Sequence, residues 1–241
     1  MRSGNPTLRG NVFTGVRAAK GEGTMTIQGT TNKTLIMLGI LMLTAFWSWG
    51  NLNLGQVLIL PAIILGLIVA IVTVFKKEWA PITAPIYAAV EGVALGAISA
   101  IFEQKYPGVV QQALGLTFGV LFTLLVIYKS RLIKATENFK LGVFAATGGI
   151  FLFYMVSLVA SLFGARFSII YGNSLISIGF SVFVVIIAAL NLVIDFDFIE
   201  KGSECGAPKY MEWYGAFCLM VTLVWLYIEI LRLLGKIQSR R

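Results

Sequence analysis

Histidine is absent from the sequence. That excludes histidine-based triads, the usual zinc hydrolase ligand sets and imidazole pH sensing, and it leaves buried carboxylates as the groups able to change protonation near neutrality. Cysteine is almost absent, with Cys205 and Cys218 spaced neither as a disulfide framework nor as a metal knuckle. Charged residues make up 12% of the chain, about half the share of an ordinary soluble domain. There is no glycine-rich phosphate loop, dinucleotide fingerprint or nucleophile elbow. A soluble-type enzyme is therefore not expected, and neither is a bound cofactor.

Long apolar runs are what the chain does have. It is 58% apolar with a mean hydropathy of +0.86, and runs near the roughly 20 residues needed to cross a bilayer fall at 34–50, 56–75, 82–102, 109–128, 141–163, 174–199 and 210–234. We read an all-α integral membrane protein with seven transmembrane helices over 34–241. Residues 1–33, with Arg2, Arg9, Arg17, Lys20 and Lys33 among Gly, Thr and Asn, have too little apolar surface to fold alone and read as a disordered basic tail. They lack the apolar core and cleavage site of a leader, so the first helix is read as its own targeting signal. With the amino terminus in the cytoplasm, thirteen of the nineteen Lys and Arg lie inside, the orientation the positive-inside rule favours. The basic carboxyl end, Arg232 to Arg241, fits that arrangement poorly, and a six-span version with one re-entrant segment would accommodate it. Because the net charge of +8 sits in short loops and tails, the partner it implies is the lipid bilayer and not nucleic acid.

Acids inside such a chain are the default functional residues, since an ionised side chain at the bilayer centre costs roughly 2.5 to 3.5 kcal/mol. The richest stretch is Asn191 to Trp213, NLVIDFDFIEKGSECGAPKYMEW. Asp195 lies five residues before Glu200, where the sixth span should leave the membrane. Glu212 lies four after Pro208, in the first turn of the seventh. At about 1.5 Å per residue both are some 6 to 8 Å inside one membrane face, where they could share a proton or a cation. Asp197 points about 200° away from Asp195 on a helix and has Lys201 at i+4 for an interfacial ion pair. Asn191 and Asp195 form an i, i+4 polar stripe. Asp195 is therefore the expected buried acid and the candidate cation ligand, with Glu212 and Asp197 completing the candidate pH sensor.

Other polar groups are candidates for an interior path. Glu91 is about ten residues into the third span and is the deepest acid; Gly92 and Gly96 beside it form a small-xxx-small pair that admits a neighbouring helix. A hydrogen bond to Tyr87 would make Glu91 purely structural. Glu229 has Arg232 at i+3 and reads as a local ion pair, while Thr222, seven residues before it, could add a hydroxyl. Gly115 with Gly119, and Gly148 with Gly149, read as further packing motifs.

The segments APIYAAVEGVALGAISAIFE at 84–103, NLVIDFDFIEKG at 191–202, GAPKYMEWYGAF and WLYIEILRLLG resemble the bacterial branch of the Bax inhibitor-1 family, also called the YccA-like or transmembrane BAX inhibitor motif family. The resemblance implies a seven-helix bundle with the last helix central, a bacterial plasma membrane location, and a pH-sensitive calcium leak. In that leak two aspartates from the sixth and seventh helices share a proton. The sixth-helix aspartate falls on Asp195. The seventh-helix position falls on Thr222 in an ungapped match and on Glu229 in a shifted one. A coupled pair of this kind closes on itself through a hydrogen bond when protonated, and repels or takes a divalent cation when ionised, so conduction would rise with cytosolic pH. The alternative is a non-conducting membrane regulator that binds another membrane protein, such as a quality-control protease, through the basic tail. An intramembrane aspartyl protease is disfavoured, because neither a Gly-x-Gly-Asp nor a Tyr-Asp context is present.

Overall fold

The computed structural model describes residues 23–133, 135–164 and 168–240; most of the expected basic tail, residues 1–22, lies outside the described residues, as do Arg166 and Arg241. Among the described residues seven helices are long and apolar enough to cross a membrane. They are α1 (Ile27–Gly50), α2 (Leu52–Phe75), α3 (Ala80–Lys105), α4 (Val109–Lys129), α5 (Glu137–Leu162), α7 (Leu175–Glu204) and α8 (Met211–Gln238), with the one-turn helix α6 (Ser168–Tyr171) before α7. The sixth and seventh spans of the sequence reading are thus α7 and α8. The chain is an integral, multi-pass, all-α membrane protein. Its final segment is one continuous helix of 28 residues, long enough and apolar enough to cross a membrane.

The first span starts seven residues earlier than expected. Thr26 caps it by accepting from the Gly29 amide at 2.9 Å, and the hydroxyls of Thr30, Thr31 and Thr34 bond the carbonyls four residues back. A polar run that hides its hydroxyls against its own backbone can enter a helix, so residues 27–33 belong to α1 and not to a disordered tail. At the other end of α3, the Glu103 carboxylate accepts from the amides of Gly108 at 2.6 Å and Val110 at 3.1 Å. This satisfies open amides at the start of α4, across a turn in which Gly108 has φ +82°.

Burial is uneven and matches the distribution of acids. Within the most apolar stretch of each span, 61% of α8, 50% of α3 and 39% of α7 is buried, against 17% for each of α1, α2, α4 and α5. The last helix is the most enclosed, as the family resemblance implies, and Glu91, Asp195, Asp197, Glu212 and Glu229 all lie on these three helices. Leu43, Phe46, Val57, Phe75 and Phe144 are exposed on the others. In a soluble fold such surface would be a patch for association; in a bilayer it faces hydrocarbon.

Two compact units emerge among the described residues, one from 23–96 with 197–220 and the other from those between 97 and 196 with 221–240. In the first, Gly92 and Gly96 lie against the backbone of α1 at Leu41 and Ala45, closer than any Cβ would permit, so this small-residue pair packs as read. The Met25 amide donates to the Ala207 carbonyl at 2.7 Å, and Thr24 bridges to Pro208. The segment before α1 and the α7–α8 loop are therefore on one side, with an even number of crossings between them. In the second unit Ile150, Val184 and Ile187 form a core with Phe180 and Trp225 around it. Here the reading of small residues needs correction. No described atom beyond the local helix lies within 4 Å of a Cβ placed at Gly115, Gly119, Gly148 or Gly149, because α4 and α5 are mostly lipid-facing.

Candidate functional site

In the first unit the outstanding group is Glu212, fully buried in the first turn of α8. One carboxylate oxygen accepts from the Thr26 amide at 3.0 Å and the Thr26 hydroxyl at 2.9 Å, and Lys209 lies 3.3 Å from the same oxygen. The other pairs with Lys33, whose ammonium also lies 5.6 Å from the centre of the Trp213 ring. Gly29 faces this carboxylate so closely that a Cβ there would collide with it. Two cations and the two donors of Thr26 already occupy Glu212, which ties the start of α1 to the start of α8.

Two further acids of this unit have simpler surroundings. Glu91 on α3 is hydrogen-bonded by the Tyr87 hydroxyl one turn earlier, the structural partner that the spacing suggests. Gly66 on α2 makes room for it: a Cβ there would be 2.9 Å from Glu91 Oε1. Asp197 pairs with Lys201 at 2.9 Å, the i, i+4 contact expected of it.

The second unit holds Asp195. Thr222 on α8 donates its hydroxyl to the Asp195 carboxylate, while Asp195 Oδ2 is buried with no hydrogen-bond partner among the described residues. One turn earlier Asn191 donates to the Thr147 hydroxyl on α5 and to the Ile187 carbonyl, both at 2.8 Å. Further along α8, Glu229 is 2% exposed and accepts from Arg232 at 3.2 Å and from the Tyr154 hydroxyl at 3.1 Å. The i+3 ion pair is there, with an added tyrosine from α5 that spacing cannot reveal.

Thr26, Lys33, Thr147 and Tyr154 are thus the partners that sequence reasoning missed. Lys33 was assigned to a tail, and the other three carry no charge to draw attention. Among the described residues no three Asp, Glu or Cys side chains gather as a metal ligand set.

With this geometry in hand, comparison adds one decisive result: the sequence profile described as Bax inhibitor 1 like matches residues 5–239. The chain belongs to the Bax inhibitor 1 like family. No curated protein matches it. Of the two residues left open for the seventh-helix position of this family, Thr222 is the one whose side chain bonds Asp195, and Glu229 is held by Arg232 and Tyr154.

Proposed function

We propose that the protein is a pH-sensitive cation leak, with calcium as the cation, and that protonation of Asp195 sets conduction. The observation carrying this reading is the sealed, unpartnered Oδ2 of Asp195, an acceptor with spare capacity inside a membrane helix. Protonated, the carboxyl is neutral and, with the Thr222 hydroxyl, bridges α7 and α8. Ionised, it presents an uncompensated charge that a divalent cation relieves through oxygen ligation, so flux increases as the cytosolic face becomes less acidic. Glu212, held by two ammonium groups, acts in this scheme as an anchor for the start of α1 and not as the second half of a proton-sharing pair. Reconstitution into liposomes loaded with a calcium-sensitive dye tests the reading. The protein should admit calcium faster at pH 8 than at pH 6; entry no faster than through empty liposomes at either pH would end it.

A second reading has its own support. Met25 and Thr26 are fixed to the α7–α8 loop and to Glu212, and the sequence before them carries Arg2, Arg9, Arg17 and Lys20, the charge that a docking segment for another membrane protein would use. A quality-control protease in the same bacterial plasma membrane is the partner this reading names. In that case the amino terminus is cytoplasmic and the chain conducts nothing.

A further inference from the structure

A basic cavity lies at the ends of two buried helices. It has a volume of about 340 Å³ and is lined by Lys105, Arg232 and Lys236, by Ile101, Phe102 and Ile170, and by Tyr106, Asn173 and Gly235. Lys105 is the last residue of α3, Arg232 and Lys236 share one face in the last two turns of α8, and Asn173 shortly precedes α7. Helix ends are where a span meets the headgroup layer.

The cations outnumber the acids that meet them. Among the described residues the contacts of Arg232 run through Nη1, to Glu229 and Tyr154. The carboxylate of Glu103 is spent on the amides that open α4. Lys105 lies against the Tyr106 ring, with no ion pair among the described residues. Lys236 is 7% exposed, yet among the described residues its ammonium is hydrogen-bonded to the Ser181 hydroxyl at 2.8 Å and the Ser177 carbonyl at 3.4 Å, both neutral, and forms no ion pair, Glu229 acting on it only through space. Glu229, the carboxylate that acts on Lys236, is already bound to Arg232.

A helix C-terminus favours cations in its last turn, which accounts for an exposed lysine such as Lys105. It does not account for a sealed one, because an ammonium taken out of water needs a counter-charge. The cavity offers the space and the donors for that anion. Its apolar wall of Ile101, Phe102 and Ile170 offers a surface for hydrocarbon beside it. Gly235 keeps the floor open, since a Cβ there would come within 2.9 Å of the Phe102 ring.

The geometry points to a binding site for a phosphate anion between Lys105, Arg232 and Lys236, filled from the membrane by the headgroup of an anionic phospholipid or from solution by free phosphate. Basic pockets between transmembrane helices have the charge and depth to hold such headgroups. The site is independent of any leak at Asp195 and would stand if that reading failed.

Full-length protein in a neutral detergent, titrated with phosphatidylglycerol, with phosphatidylcholine of the same chain length and with inorganic phosphate, tests the site by native mass spectrometry. Phosphatidylglycerol should bind about tenfold more tightly than phosphatidylcholine, and losing one charge-assisted contact in Lys105→Gln or Lys236→Gln should weaken it by about tenfold. Lys129→Gln, which removes the same charge outside the cavity lining, should bind as the unaltered protein does. Displacement of the lipid by millimolar inorganic phosphate would identify free phosphate as a sufficient ligand, and its failure to compete would identify the membrane as the source. Equal binding of the two lipids, or unaltered phosphatidylglycerol binding by Lys105→Gln, would overturn the site. Lys105 is exposed, so its substitution reports even if Lys236→Gln fails to fold.

Discussion

A carboxylate removed from water must find a cation, a proton or donors, and the acids of this chain do so in different ways. Glu212 takes Lys33, Lys209 and two donors from Thr26. Breaking a buried pair strands the other charge, so Lys33→Met should lower stability by about 2 to 4 kcal/mol. Unfolding by denaturant in micelles would measure it, and the double variant Lys33→Met with Glu212→Met should recover most of the loss, because no charge is then stranded. A double variant as unstable as the single one would show that the pair matters through shape and not charge. Asp195 has Thr222 and an empty Oδ2. Local spacing exposed part of this: Asp197 with Lys201 and Glu229 with Arg232 are contacts within one helix, set by 3.6 residues per turn. Lys33 with Glu212 is separated by 179 residues. Periodicity carries no information about which distant turn faces which.

Helices differ here in what their small residues do. The spacing GxxxG occurs at 92 and 96 and again at 115 and 119, yet only the first pair receives a neighbouring backbone. Gly96→Ala should therefore overpack the contact with Ala45 and destabilise by about 1 to 3 kcal/mol, whereas Gly115→Ala should be neutral or stabilise by up to about 1 kcal/mol through helix propensity. Thermal unfolding of the two variants side by side checks the contrast; equal losses would mean that α4 is packed in the membrane. Span existence was legible because each apolar run is long. The start of α1 was not, because its hydropathy is the lowest of the seven and its threonines hide their polarity only once the helix has formed.

For the whole molecule, the two functional readings separate at the amino terminus. Removing residues 1–22 leaves the Thr26 cap and the Lys33–Glu212 pair in place, so calcium entry into liposomes should be unchanged; co-purification with a quality-control protease, if the docking reading holds, should be lost. Class and family were readable from hydropathy and from four acid-bearing segments. The partner of Asp195 was not, because helical periodicity does not show whether a carboxyl on α7 meets a second titrating group or, as here, the Thr222 hydroxyl. The most direct measurement is the pH profile of calcium flux through reconstituted Asp195→Asn protein, an isosteric change that cannot ionise. Our account predicts flux that no longer varies between pH 6 and pH 8, and a variant with the same pH response as the unaltered protein would contradict it.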